Sequence, residues 1–87
     1  MAELGEELRR ERVRRNLTFK DVEQVLHIKT TYLEAIEDGN YDIIPGQVYV
    51  KGFIRNYGNY LDLDGDRLVK VYQLSLIHIS EPTRLLS

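Results

Sequence analysis

Apolar residues recur at helical spacing through the first 73 of the 87 residues, and turn-forming residues divide this region into five segments. No segment shows the sustained alternation of apolar and polar residues that is typical of a half-exposed strand. The pattern predicts helices over residues 2–15, 19–26, 30–38 and 46–61, and a fifth helix after residue 62 or 64. We therefore expect an all-α five-helix fold in which residues 1–73 form one domain.

Signals for helix ends support these boundaries. Thr18 is followed three residues later by Asp21, a variant of the capping box that predicts the start of the second helix. Gly39 predicts the end of the third helix because glycine tolerates a left-handed backbone. Pro45 disfavours helix in the residue before it, so residues 41–44 are expected to form an extended connector.

The same periodicity predicts which side chains point inward. In the first three helices and their connections these are Leu4, Leu8, Val13, Val22, Val25, Leu26, Ile28, Tyr32, Leu33 and Ile36. In the fifth helix they are Leu68, Val69 and Tyr72. Gly52 and Gly58 lie inside the fourth helix, where each costs about 1 kcal/mol relative to alanine. Close packing against a neighbouring helix would compensate for this cost, and we expect it at Gly52 in particular.

The fourth helix carries two apolar stripes. The first, which is as narrow as a core-facing stripe, consists of Val50, Ile54, Tyr57 and Leu61. The second lies roughly 80° away around the helix and consists of Tyr49, Phe53 and Tyr60. One stripe is enough to hold a helix on a small domain, so the second stripe indicates a surface for a partner protein. The alternative is a wide core in which the fifth helix covers the second stripe.

Lys51 and Arg55 form a basic pair one turn apart on the fourth helix. Such residues are commonly solvated charges, but an acidic rim on a partner would also suit them. The candidate partner-binding residues are therefore Tyr49, Phe53, Lys51, Arg55 and Tyr60.

Composition and charge reduce the number of function classes that fit the sequence. The net charge is −2, which lowers the expectation of a general nucleic-acid binder. The chain has no cysteine, so it has neither disulfides nor thiolate chemistry. No apolar run approaches the length of roughly 18 to 20 residues that spans a bilayer, and the polar N-terminus is not a secretory signal.

No group of residues in the sequence is typical of a catalytic or metal site. Asp62, Asp64 and Asp66 alternate as in a calcium loop, but Gln73 stands where such a loop has its bidentate glutamate. Helix capping by Asp62 or Asp64 is the better interpretation. We expect no enzyme activity, no cofactor and no metal ion.

The second and third helices have the layout of a helix-turn-helix. The string LTFKDVEQVLHIKTTYLEAIEDG resembles the lambda-repressor-like class, which leaves two additional helices at the C-terminal end. In that class the start of the second motif helix faces the major groove. A DNA-binding transcription regulator is therefore the alternative function. Its candidate contacts are Thr30, Thr31 and Glu34, with Phe19 near the phosphates.

Local charge disfavours this alternative. Between residues 29 and 42, Lys29 stands against Glu34, Glu37, Asp38 and Asp42, a net charge of −3. Phosphate contacts supply much of the affinity for DNA, and an acidic helix repels phosphate. The arginines of the first helix alternate with glutamates, which is typical of a solvated face. We expect weak nucleic-acid binding or none.

Longer motifs give a more specific resemblance. The strings LGEELRRERVRRNLTFKDV, IKTTYLEAIEDGNYDIIPG and YVKGFIRNYGNYLDLD resemble the cytoplasmic N-terminal domain of the RodZ (YmfM-like) family of bacterial cell-shape proteins. The resemblance covers residues 4–73. Its most specific part is the stretch from Tyr49 to Tyr57, preceded by Ile44–Pro45–Gly46.

The resemblance implies a membrane-associated adaptor on the cytoplasmic face of the bacterial inner membrane. Family members bind the bacterial actin MreB and link its filaments to the membrane and the cell-wall elongation machinery. Aromatic residues of the fourth helix make this contact in the family, and motif alignment places them at Tyr49 and Phe53. The resemblance also implies a membrane anchor, which this chain does not include.

Residues 74–87 do not continue the pattern. The string LSLIHISEPTRLLS has neither a helix cap nor a helical period, and it resembles translated vector sequence. We expect this tail to be non-native or disordered.

Overall fold

A computed structural model describes residues 3–74, and it contains five α-helices and one 3₁₀ turn. The helices are α1 (Glu3–Arg14), α2 (Phe19–Leu26), α3 (Thr30–Asp38), α4 (Gln47–Tyr60) and α5 (residues 65–74). No strand occurs within residues 3–74. The expected all-α, five-helix fold is confirmed, with helix bounds close to those predicted from the sequence.

Side-chain caps and left-handed residues set the ends of the helices. The Asp21 N–H donates to Thr18 Oγ1 at 3.1 Å, and the Thr18 N–H donates to the Asp21 carboxylate at 3.0 Å. Both halves of the predicted capping box are therefore present. His27 ends α2 with a φ of 59°, and Gly39 ends α3 with a φ of 77°. The connection between α2 and α3 is consequently short, as a helix-turn-helix requires.

The connector before α4 differs from the prediction. Residues Tyr41–Ile43 form a 3₁₀ turn, which the Ile44 N–H closes by donating to the Tyr41 carbonyl at 3.1 Å. Only Ile44, immediately before Pro45, has the extended backbone that proline imposes on the preceding residue. The effect of the proline therefore reaches back one residue rather than four.

Two short-range hydrogen bonds fix the start of α5. The Arg67 N–H donates to Asp64 Oδ1 at 3.2 Å, so Asp64 is the capping aspartate of the predicted pair. The Gly65 N–H donates to Asn59 Oδ1 at 3.0 Å, which ties the start of α5 to the end of α4. Asp62 instead has a left-handed backbone, and its Oδ2 lies 3.0 Å from Nη2 of Arg15, the residue after α1, in an ion pair.

One core joins all five helices. Its buried hydrophobic residues are Leu4, Leu8, Val22, Ile28, Leu33, Ala35, Ile36, Ile44, Val50, Ile54, Tyr57, Leu61, Leu68, Val69 and Tyr72. The predicted core stripe of α4 is confirmed, because each of its four residues is at most 1% exposed. Val13 and Val25 were predicted to point inward, and this was wrong. Their side chains are 56% and 53% exposed because other residues of α1 and α2 fill the core.

The crossing of α4 and α5 depends on Gly58. A β-carbon at Gly58 would lie 2.7 Å from Leu68 Cδ1 and 3.2 Å from the Gly65 Cα. The predicted close approach at Gly52 is wrong. Within the described part of the chain, no atom lies within 4 Å of a β-carbon built there. α5 contacts α4 near its C-terminal end and leaves Gly52 open.

The expected non-native tail falls almost entirely outside the described residues. Residue 74 belongs to the helical residues 65–74, and residues 75–87 lie beyond the described range.

Candidate functional site

The second aromatic stripe of α4 presents Tyr49 and Phe53 together. The Tyr49 side chain is 59% exposed, and Phe53 is half-buried. Their ring centroids lie 6.2 Å apart with an angle of 35° between the ring planes. Since the other stripe of α4 already fills the core, these two rings form a surface feature at the edge of the core.

Phe53 packs against α3. The ring of Tyr32 stacks on Phe53 with a centroid distance of 5.8 Å and an interplanar angle of 20°. α5 contacts α4 through Gly58, which lies about 140° around the helix from Phe53. The alternative of a wide core covered by α5 is therefore wrong, because α5 packs on a different face of α4.

The basic pair lies on the α5 side of α4, apart from the Tyr49–Phe53 pair. Arg55 Nε lies 2.8 Å from Asp66 Oδ1 of α5, in an ion pair whose two side chains are largely exposed. A groove runs between α4 and α5, lined by Val48, Lys51, Gly52, Arg55, Asp66, Val69, Lys70 and Gln73. Lys51 and Arg55 therefore flank the exposed face of α4 on the side opposite to Phe53 and Tyr32.

Tyr60 continues the aromatic stripe toward the end of α4. It is half-buried and packs against the core. Eleven residues separate it from Tyr49, a rise of about 16 Å along the helix axis. The structure thus places Tyr60 on the predicted face but a long way from the exposed ring of Tyr49.

The predicted DNA-contacting residues are either exposed or half-buried. Thr31 and Glu34 are exposed on α3, and Thr30 is half-buried. Phe19 is half-buried, and the Arg12 guanidinium lies 4.1 Å from the centroid of its ring. The Phe19 ring forms this cation–π contact within the fold, and its position near phosphates in a DNA complex stays a prediction.

A polar network at the centre of the domain contains Arg12, Glu37 and Tyr57. Arg12 Nε donates to Glu37 Oε2 at 2.8 Å, and its Nη2 donates to Oε1 at 3.2 Å. The Tyr57 hydroxyl donates to the same carboxylate, and Arg12 Nη1 donates to the Leu17 carbonyl at 2.8 Å. Within residues 3–74, every buried side-chain nitrogen and oxygen has a hydrogen-bond partner. Three helices and the turn before α2 are joined in this way.

The environment of the network shifts two pKa values. Burial raises the pKa of Tyr57 far above its usual range, and its hydrogen bond to Glu37 raises it further. The hydrogen bond to Glu37 also raises the pKa of Arg12, against the opposing effect of burial. The tyrosine therefore stays protonated, and the arginine stays charged, at physiological pH.

Arg12 was interpreted from the sequence as part of a solvated face, and this was wrong. Glu37 was counted with the charges that would repel phosphate, whereas the structure buries it against Arg12. Helical spacing would have predicted that both residues face the interior. Arg12 continues the buried series Leu4 and Leu8 at intervals of four residues, and Glu37 lies four residues after buried Leu33. The sequence also gave no reason to add Tyr32 to the binding surface, because its stacking on Phe53 depends on how α3 and α4 pack.

Pairing Glu37 with Arg12 changes the surface charge of α3. The charges left at the surface between residues 29 and 42 are one lysine and three carboxylates, a net charge of −2. This face remains acidic, though less so than the sequence indicated.

Two further features of residues 3–74 bear on function. None of their helices combines the length and the apolar character needed to cross a bilayer. Within the same range, no group of three or more acidic, histidine or cysteine side chains is arranged to hold a metal ion.

Comparison with known proteins identifies the family. The family model described as "Helix-turn-helix domain" matches residues 7–68, which is more than half of the chain. The chain belongs to this helix-turn-helix domain family. The arrangement of α2 and α3 described above is the motif from which the family takes its name.

Individual relatives are more informative. The chain is 40% identical over 57 residues to the uncharacterized membrane protein YmfM of Bacillus subtilis, which covers 66% of this chain and 20% of that protein. It is 28% identical over 69 residues to the cytoskeleton protein RodZ of Streptococcus pneumoniae, which covers 79% of this chain and 25% of that protein. The chain thus spans about a fifth to a quarter of the length of the curated relatives it matches.

A solved structure shows the same fold. A chain of the structure described as "Bacterial actin MreB assembles in complex with cell shape protein RodZ" matches with a TM-score of 0.82 and 31% sequence identity. The match covers 88% of this chain and 94% of that chain. The resemblance to the RodZ (YmfM-like) family is therefore confirmed.

Proposed function

We propose that this domain binds an MreB-like actin filament through the exposed face of α4, with Tyr49 and Phe53 at the centre of the contact. It acts as an adaptor without a catalytic role. It links the filament to the membrane and to the cell-wall elongation machinery, and thereby maintains cell shape. Residues 1–73 constitute this adaptor domain.

The exposed aromatic pair on α4 is the observation that carries the proposal. Tyr49 is 59% exposed beside Phe53, although the core stripe of the same helix is fully buried. Rigid aromatic side chains lose little conformational entropy on binding, and they dominate many interface hot spots. The pair therefore supplies a small apolar anchor on the surface of α4.

The flanking residues fit a partner with an acidic rim. Lys51 and Arg55 line the groove between α4 and α5. Tyr60 extends the aromatic stripe toward the C-terminal end of α4. Charges at a rim act mainly on the rate of association and on its salt dependence. We assign these three residues to the rim, with Lys51 and Arg55 on the far side of the exposed face of α4. The exposed ring of Tyr49 and the half-buried ring of Phe53 form the centre.

The relatives support both the partner and the location. One solved relative is a complex of MreB with RodZ, another relative is a cytoskeleton protein, and a third is a membrane protein. We accordingly place the domain on the cytoplasmic face of the bacterial inner membrane, held there by a membrane anchor as the sequence resemblance implies.

DNA binding has less support from the geometry. Phe19 packs under Arg12, and the exposed face of α3 carries more carboxylates than lysines. A recognition helix of this charge repels the phosphate backbone. We therefore propose at most weak binding to nucleic acid.

Co-sedimentation with polymerised MreB tests the proposal directly. The full 87-residue chain is compared with Tyr49→Ala and with the double variant Tyr49→Ala/Phe53→Ala, after circular dichroism has established that each is folded. We expect the wild type to pellet with the filaments. The Tyr49→Ala variant should bind at least about tenfold more weakly, as is typical for an aromatic hot spot.

The matched control is Val13→Ala/Val25→Ala, which removes two exposed apolar side chains outside α4. It should pellet like the wild type. A folded wild-type chain that remains in the supernatant would contradict the proposed partner. Equal losses in the control and the Tyr49 variant would contradict the proposed site.

A further inference from the structure

Phe53 lies between two tyrosines that come from different helices. Tyr32 of α3 stacks on its ring at 5.8 Å, and Tyr49 of α4 contacts it at 6.2 Å. We call these three residues the aromatic array. The array is continuous across the junction of α3 and α4, whereas the sequence pattern indicated a stripe on α4 alone.

The stack on Tyr32 restricts the ring of Phe53. Both side chains are half-buried and pack against the core, so each ring has one face supported by the fold. A near-parallel pair at this distance is stabilised beyond the effect of its buried area. A ring that is already ordered loses less conformational entropy when a partner covers it. Tyr32 thus orders the Phe53 ring before a partner binds.

The opposite end of the array lies near the turn before α4. The Tyr49 ring reaches back toward the start of the helix, and its Cδ2 lies 3.5 Å from the position of a β-carbon at Gly46. Gly46 has a φ of 99°, a conformation that side-chain-bearing residues rarely adopt. The array therefore runs from α3 on one side to the glycine turn before α4 on the other.

We infer that Tyr32 is a positioning residue of the docking surface, which holds the ring of Phe53 and extends the surface from α4 onto α3. This inference rests on the proposed function. Its consequence is that the helix used for base recognition in DNA-binding members of this fold instead contributes to a protein-binding surface here. The partner surface that fits the array is an apolar depression wide enough for rings from two helices.

Binding measurements on three variants test the inference. Tyr32→Leu removes the ring and keeps apolar bulk, whereas Tyr32→Phe keeps the ring. The matched control is Tyr41→Leu, because Tyr41 is also half-buried and pairs with an aromatic residue, Tyr72, at 4.9 Å outside the array. Apparent dissociation constants are obtained by co-sedimentation of each full chain with polymerised MreB.

We expect Tyr32→Leu to weaken binding by about threefold to tenfold, which corresponds to the energy of one aromatic pair. Tyr32→Phe and Tyr41→Leu should bind within about twofold of the wild type. Unchanged binding of a folded Tyr32→Leu chain would overturn the inference. Equal weakening by Tyr41→Leu would do so as well, since it would trace the effect to general loss of stability.

A second measurement uses the free protein and does not depend on the filament. Nuclear Overhauser effects between the Phe53 and Tyr49 rings report their relative position by NMR. They should be strong in the wild type and in Tyr32→Phe, and lost or averaged in Tyr32→Leu. If the wild type does not bind MreB, the proposed function fails and the docking part of the inference fails with it. The positioning part is then decided by these ring contacts, and their persistence in Tyr32→Leu would overturn it.

Discussion

At the residue scale, the polar interior of this small domain is the least expected feature. Glu37 is only 6% exposed, yet its carboxylate receives two bonds from Arg12 and one from Tyr57. A buried charge is tolerated only when it is paired and hydrogen-bonded. The bidentate geometry, with Phe19 beneath the guanidinium, satisfies this condition at the point where α1, α3 and α4 meet.

Removing the Arg12 guanidinium should therefore lower the stability of the fold. Arg12→Met leaves the Glu37 carboxylate buried without its counter-charge, and we expect the free energy of unfolding to fall by about 3 kcal/mol. Urea denaturation followed by circular dichroism measures this change. The control is Arg14→Met, whose ion pair with Glu11 lies at the surface, so its loss should change stability much less than the loss of the buried pair. Similar losses in both variants would show that the buried pair has no special role.

At the element scale, α4 has two apolar stripes on different faces, one buried in the core and one at the surface. Its core stripe holds the domain together, and the adjacent stripe carries Tyr49 and Phe53 of the aromatic array. α5 approaches it at Gly58 and Gly65, where either β-carbon would meet atoms of the other segment closer than 3 Å. α5 does not cover the rings of Tyr49 and Phe53, because it approaches α4 from the other side.

Alanine substitution at the two glycines of α4 should have opposite effects. Gly58→Ala forces the added methyl group against Leu68 and the Gly65 backbone, and we expect destabilisation by about 1 to 3 kcal/mol. Gly52→Ala faces open space, so the better helix propensity of alanine should raise stability by about 0.5 to 1 kcal/mol. Thermal denaturation of the two variants measures both effects. Destabilisation by Gly52→Ala would indicate that α5 packs more closely than described.

At the scale of the whole molecule, unfolding releases buried tyrosines. Burial raises the pKa of Tyr57 well above its usual range, and it raises the pKa of Tyr41 to about 12. Both tyrosines ionise near pH 10 in an unfolded chain. The folded and unfolded states hold the same protons on these groups below that pH. Above it, the unfolded state loses protons that the folded state retains.

The free energy of unfolding should therefore be independent of these tyrosines below pH 10 and should fall as the pH rises above it. The contribution of Tyr41 is lost between pH 10 and about 12, and that of Tyr57 declines across the same range and beyond. Urea denaturation at intervals from pH 8 to 11.5 measures the profile. Tyr57→Phe should be less stable at neutral pH but should lose stability less steeply above pH 10. Parallel profiles of variant and wild type would contradict this assignment.

The sequence by itself determined the helices and the division of α4 into a core stripe and a second, aromatic stripe. Helical periodicity, the Thr18–Asp21 cap and the Gly39 stop are local signals, so they predicted the element bounds closely. The core stripe of α4 followed from its spacing. The family resemblance rested on continuous strings, which need no knowledge of packing.

The tertiary structure alone decided which of these local features meet. Arg12 and Glu37 are 25 residues apart, and Tyr32 is 21 residues before Phe53 in the sequence. Their contacts depend on how helices cross, a property of several side chains together that no single helix encodes. The same reason explains the errors at Val13, Val25 and Gly52, where a local pattern allowed burial but no neighbouring helix supplied it.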